Sequence, residues 1–169
     1  MLGAGAKTDS AVSPVIGVML LLAIVIIIAA LVASFAGGAA DTKEKAPSVD
    51  PAVYTAGSGQ NFTLVFEHRG GDQVRIEDLR VNTWVHLPDG DLRPASHEGD
   101  ELKDSFGLGT WRAGVGVNTG GLDGTARFLG VEKEELSGYI DQSVTVDVAV
   151  YHLPSGALLH KSSLLLKER

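Results

Sequence analysis

The sequence predicts a mainly β protein with one long N-terminal hydrophobic α-helix, its strands folded into a small antiparallel β-sandwich head. Three observations lead there. No charged side chain falls between Ser10 and Asp41, and Val15–Ala36 is almost purely aliphatic, broken by Gly17 and Ser34. Apolar and polar residues alternate at Phe62–Glu67, Arg80–Leu87 and Ser143–Leu153, the pattern of half-buried strands. Gly- and Pro-rich turns separate these stretches, and no second long helical pattern follows the first, which points to a sandwich.

Residues 1–10, MLGAGAKTDS, are small and polar and have nothing to pack. The apolar run that follows is too long for a buried strand. At about 1.5 Å per residue it makes a helix able to cross a hydrocarbon core of about 30 Å. It is apolar on every side, and in lipid only a helix satisfies its backbone. Ser13 suits the N-cap and Pro14 the first helical position, where its missing N–H costs nothing. The run is too long, and the leader too weakly basic, for an ordinary secretory signal. Charge alone does not orient the span, because Lys7 precedes it while Lys43 and Lys45 follow it.

The string Ala11-Val12-Ser13-Pro14-Val15-Ile16-Gly17-Val18, with a polar leader before it and a long aliphatic run after it, strongly resembles the N-terminus of archaeal type IV pilins. The resemblance is sharp over residues 10–38, and a looser likeness runs into Phe62–Val81. It implies a leader peptide, residues 1–11, removed by a prepilin peptidase on the cytoplasmic side. It implies a helix, residues 12–38, that first anchors the subunit in the membrane and then packs with its copies into a filament core. Processing would fall between Ala11 and Val12, with Ser10/Ala11 as the alternative cut, and Ser13, Pro14 and Gly17 would mark the helix start. Two departures stand out. The family usually places Lys or Arg before Gly or Ala at the cut, whereas Ser10 precedes Ala11 here and Lys7 is the leader's only basic residue. Counting from Val12, the fifth position is Ile16, where many bacterial pilins carry Glu, so pairing of that Glu with a neighbour's terminal amine has no counterpart.

Composition shifts abruptly after the helix. Gly37, Gly38, Pro47 and Pro51 end the helix and keep the chain extended, which predicts a neck linker over residues 39–60 and a head over residues 61–169. In the head, Phe62, Leu64 and Phe66 form one strand face, and His68–Asp72 supplies turn residues. Val74-Arg75-Ile76 resumes the alternation, and Glu77-Asp78-Leu79 forms a short turn. The next strand sets Val81, Thr83 and Val85 on one face and Asn82, Trp84 and His86 on the other, and Trp84 leaves open which of the two is buried. Residues 88–126 are rich in Gly, Asp and Pro. A structureless loop of that length is unusual in a compact domain, so short strands are expected near Gly109–Val117. Gly130–Leu136 reads as a single charged helical turn. Val144, Val146, Val148 and Val150 share a strand face, and Leu153–Gly156 turns the chain into a partner strand, Ala157–Leu166. Both tryptophans, Trp84 and Trp111, are expected in the core.

The chain has no cysteine, which excludes disulfides and thiolate metal sites. Residues 41–169 hold 13 Lys/Arg against 20 Asp/Glu, so the net charge of −7 lies in the head. An acidic head argues against nucleic acid as partner. The five histidines, His68, His86, His97, His152 and His160, form no helical pair or tight metal triad. Asp89-Gly90-Asp91 with His97, Glu98, Asp100 and Glu101 is an acidic loop without EF-hand spacing. Gly114–Gly120 lacks the spacing and the Lys of a phosphate loop and reads as turn glycines. No GxSxG and no supported Ser/His/Asp grouping argues for an enzyme, and no cofactor or metal is expected. Asn61-Phe62-Thr63 is the chain's single N-glycosylation sequon, which makes Asn61 a candidate site.

These observations lead to an expected function. The chain reads as a structural subunit of a type IV pilus-like surface filament, homopolymeric through its helix, with an exposed head suited to adhesion. Its partners would be copies of itself, the prepilin peptidase, the pilus assembly machinery and the membrane. It would be a single-pass membrane protein before assembly and an extracellular filament subunit after processing. The alternative is a monomeric membrane-anchored extracellular binding domain.

Overall fold

The computed structural model describes residues 13–38 and 44–168. The helix and the head are separate compact units. Helix α1 spans Ser13–Gly38. Residues 1–12, with the expected cut between Ala11 and Val12, and the Ser13 side chain lie outside what is described.

The head is built on antiparallel sheets, as its alternating segments predict. One sheet orders the strands β1 (Val49–Ala56), β2 (Thr63–Gly71) and β7 (Gly116–Asn118) side by side, with β2 in the middle. The second runs β5 (Leu92–Glu98), β4 (Leu79–His86), β8 (Thr145–His152), β9 (Ala157–Leu165). A two-residue pair, β3 (Val74–Arg75) with β6 (Thr110–Trp111), completes the strands among the described residues. Phe62, Leu64 and Phe66 near β2 and Val81, Val85, Val146, Val148 and Val150 on β4 and β8 join one core cluster. Of the two faces of β4, the one with Val81, Thr83 and Val85 is buried, while Asn82, Trp84 and His86 are not. The C-terminal hairpin β8–β9 is also in place, with a register shift at Val150/Tyr151.

Several elements differ from the sequence expectation. Val49–Ala56 falls inside the span read as a neck, yet it is strand β1 of the head and pairs with β2 along its length. Its prolines misled because Pro51 sits where the register shifts, at Asp50/Pro51, a place that tolerates a residue without an N–H. The expected turn at His68–Asp72 starts later, because β2 continues through Gly71. There Gly71 has a φ of +102° and a Cβ on it would lie 2.0 Å from the Ser48 carbonyl oxygen, so only glycine closes this end of the ladder. Residues 88–126 hold the expected short strands β6 and β7, but also the unexpected strand β5 and two unexpected helices, α2 (Gly99–Phe106) and α3 (Gly121–Leu129), the last running on past the span. The charged turn at 130–136 is the approach to a full helix, α4 (Lys133–Asp141), which buries Leu136 and Ile140. Trp111 is buried and donates from Nε1 to the Val115 carbonyl at 3.0 Å, but Trp84 is only half-buried on the outer sheet face.

Candidate functional site

Helix α1 is the segment with the clearest physical demand for a partner. Its sequence has no charged residue and no polar face. Every described side chain from Pro14 to Ala36 is exposed, including fifteen large apolar ones between Val15 and Phe35. The stretch Pro14–Ala36 is 23 residues, about 35 Å of helix at the usual rise. It is long and apolar enough to cross a membrane. Pro14 lies at the start of the helix, where its missing N–H is not needed. Gly17 lies inside the helix, and a Cβ there would meet nothing within 4 Å. No contact among the described residues accounts for the glycine.

The remaining sequence-singled residues are dispersed over the head. The acidic loop is not one site. Asp89–Asp91 forms the β4–β5 turn, closed by Leu87 N–H to the Asp91 carbonyl at 2.8 Å and Asp91 N–H to Asp89 Oδ1 at 3.1 Å. His97 and Glu98 stand at the far end of β5, with Asp100 and Glu101 at the start of α2, about 20 Å away along the strand. Among the described residues no three side chains of metal-binding type converge. Gly114 and Gly120 do sit at turns, with φ of +83° and +81°, and Gly120 opens α3.

The histidines make separate local contacts. His97 stacks on Phe128 with ring centroids 4.4 Å apart, and its Nδ1 and Nε2 each lie 2.8 Å from an acceptor, Glu101 Oε1 and the Phe128 carbonyl. It thereby ties β5 to α2 and α3 and floors an open cleft of about 370 Å³ whose rim includes Glu101, Asp104 and Arg127. His68 is buried against Trp111 and its Nε2 reaches the Asp72 carbonyl at 2.8 Å. His86 Nε2 lies 2.9 Å from Asp147 Oδ2, and the Ser163 hydroxyl donates to the same carboxylate. These two donors, Ser163 first, hold the Asp147 carboxyl below its ordinary range. Burial pushes the His160 imidazole down. The backbone N–H of Glu132, then Arg93, lowers Glu135 on α4.

A second cluster, not evident from sequence, locks α3 onto β2. The Thr63 and Thr119 hydroxyls are 3.1 Å apart, and those of Thr119 and Thr125 are 2.6 Å apart. Leu64 N–H donates to Thr119 Oγ1 at 3.1 Å, and Thr119 N–H donates to Thr63 Oγ1 at 3.1 Å. Asn61 stands just before this cluster, exposed at the end of the 3₁₀ turn Gly59–Asn61.

Residues 10–50 match the family described as archaeal type IV pilin, N-terminal. The matched span takes in α1 and reaches the first residues of β1. The resemblance read from Ala11–Val18 and the aliphatic run is thus borne out for the N-terminal segment. A protein of Archaeoglobus fulgidus, named only as uncharacterized, is 37% identical over 73 residues. That stretch is 43% of this chain and 51% of the relative, so the chain spans about half the relative's length.

Proposed function

We propose that the chain is a structural subunit of a type IV pilus-like surface filament, with α1 forming the core and the head displayed outward for adhesion. The observation that carries this is α1 itself: a charge-free helix exposed on all faces, within a span that matches the archaeal pilin N-terminal family. Leaving fifteen large apolar side chains in water would cost on the order of 20–40 kcal/mol at about 1.5–3 kcal/mol each. That exceeds the whole stability margin of an ordinary domain, about 5–15 kcal/mol. The helix therefore needs lipid or other helices, and a pilin uses the two in turn.

In this reading residues 1–11 are the leader, the peptidase cuts between Ala11 and Val12, and Ser13, Pro14 and Gly17 begin the mature helix. Residues 12–38 polymerise, and the subunit passes from a single-pass membrane protein to an extracellular filament. The subunit's role is assembly and contact, not catalysis. Intact and N-terminal mass spectrometry on protein sheared from the cell surface tests it. A new terminus at Val12 or Ala11 with the helix retained is expected. A terminus near Gly37, or an intact Met1, would overturn the reading and leave a secreted or merely anchored β domain.

A further inference from the structure

The sequon Asn61-Phe62-Thr63 takes on a specific meaning once its three residues are placed. Asn61 is exposed, and its side chain makes no hydrogen bond among the described residues. The other two are held by the fold, although Thr63 is only half-buried. Phe62 is fully buried in the core. Thr63 is committed to the hydroxyl cluster: its Oγ1 lies 3.1 Å from Thr119 Oγ1, lies 3.3 Å from the Leu64 carbonyl and accepts the Thr119 N–H. The backbone is equally fixed. Asn61 N–H donates to the Ser58 carbonyl at 3.0 Å and Phe62 N–H to the Gly59 carbonyl at 3.2 Å. Gly57 closes against this turn so tightly that a Cβ on it would lie 2.3 Å from the Asn61 carbonyl oxygen.

An enzyme that selects Asn-x-Ser/Thr has to engage both the amide of the first residue and the hydroxyl of the third. In the folded head the amide is offered and the hydroxyl is not. Freeing Thr63 requires breaking its bonds to Thr119, and freeing the backbone around Phe62 requires pulling a core residue out. From these constraints we infer that Asn61 is an N-glycosylation site that is filled before the head folds. The fold then leaves the sugar on the outside, because Asn61, the residue that bears it, is the fully exposed member of the sequon.

The donor is a lipid-linked oligosaccharide. A bond forms between Asn61 Nδ2 and the anomeric carbon of the first sugar. The bond from that carbon to the donor's phosphate oxygen breaks, the lipid phosphate leaves with the bonding pair, and the amide gives up one proton to solvent or base. The inference rests on the reading that places the head outside, where such transfer to an emerging chain takes place.

The test begins with the tryptic peptide Ala46–Arg69 from protein sheared from the source cells. A glycan mass on Asn61 is expected, lost in Asn61→Gln and in Thr63→Val but kept in Thr63→Ser. A thermal melt of each variant separates a lost sequon from a lost fold. In the second arm, membranes of the source cells charged with lipid-linked oligosaccharide are offered the native chain and, separately, an unfolded peptide covering residues 57–67. Transfer to the native chain should be slower by about tenfold or more, since it waits on local opening. A bare Asn61 in filaments would overturn this inference and leave the filament reading standing. A glycan on Asn61 in cells that never form filaments would do the reverse. Equal transfer to native and unfolded substrate would overturn the order of events.

Discussion

Two glycines in short helices should respond to the same substitution with opposite signs. Gly124 lies in α3 and Gly138 in α4, and alanine is the better helix former by about 1 kcal/mol in an unconstrained helix. At Gly138 an added Cβ meets nothing within 4 Å, so Gly138→Ala should stabilise the head by about 0.5–1 kcal/mol. At Gly124 it would lie 1.8 Å from the Thr119 carbonyl oxygen. That oxygen is backbone, and its residue is fastened to β2. Thr119 N–H donates to the Leu64 carbonyl at 3.1 Å, and its hydroxyl accepts from Leu64 N–H at 3.1 Å. Relief requires α3 to move off β2, and overpacking of this kind costs about 1–3 kcal/mol, with about 1 kcal/mol more for each hydrogen bond given up. The clash therefore outweighs the propensity gain, and Gly124→Ala should lose about 2 kcal/mol. For a head of this size each kcal/mol moves Tm by about 3–5 °C. Near-UV circular dichroism melts of the full chain in mild detergent, with Trp111 as reporter, give both values. A Gly124→Ala variant melting at or above the parent would refute the docking of α3 described above.

Other perturbations test separate parts of the molecule. Thr83 is fully buried and its hydroxyl has no partner among the described residues, so Thr83→Val should raise stability by about 1–3 kcal/mol, read by denaturant midpoint. Phe66→Ala removes a ring packed 5.1 Å from Phe106 and 5.6 Å from Phe128 and should cost about 3–5 kcal/mol in the same assay. His160, lowered by burial, takes up its proton in the unfolded chain first, so stability should fall as pH drops below about 6.5. His160→Gln should flatten that part of a Tm–pH profile. The Asp147 contribution has its own window: with the folded value depressed, it is complete above about pH 4 and is lost below that. Asp147→Asn should therefore lower Tm above about pH 4, with the difference from the parent closing towards the acid end of the profile. Ile24→Asp places an unpaired charge in mid-helix and should abolish filaments in electron micrographs of the sheared fraction; normal filaments would show that α1 is not the core.

What was legible in the sequence follows from how burial writes itself into residue type. Strands β2 and β4 bury one face, and β8 does so apart from Ala149, so their valines, leucines and phenylalanines alternate and announce the sheet. Helix α1 is legible for the opposite reason, since it has no face to hide. Helix α3 is different. It buries Leu122, Thr125, Ala126 and Leu129, spaced i, i+3, i+4, i+7, which is a helical stripe. Two of those four are a hydroxyl and a methyl that do not read as core, and glycines surround them. The hydroxyls of Thr119 and Thr125 are buried because they satisfy each other, a pairing that depends on contacts across the chain and leaves no local trace. Strand β1 was hidden by Pro51, since a proline argues against a strand unless the register shift that accommodates it is known.

The chemistry of α1 also constrains how a filament can be favoured over the membrane. Lipid tails are as apolar as leucine, so moving α1 from bilayer to helix bundle gains little from the hydrophobic effect itself. With no charge along the helix, and Ile16 at the position counted fifth from Val12, no ion pair drives the exchange either. In the proposed filament what would remain is close packing between helices, and the work of extraction would have to come from outside the subunit. Once the helix has left the bilayer the balance changes. Dissociation would then return fifteen large apolar side chains to water rather than to lipid, at about 1.5–3 kcal/mol for each. Such a filament would be held less by the strength of any single contact than by the absence of an apolar place to go. It should therefore resist salt, which screens only charges, and yield to detergent, which restores an apolar phase. Shearing filaments into high salt and, separately, into detergent would measure that difference directly; release of monomer by salt alone would mean that charged contacts on the head, not α1, hold the subunits together.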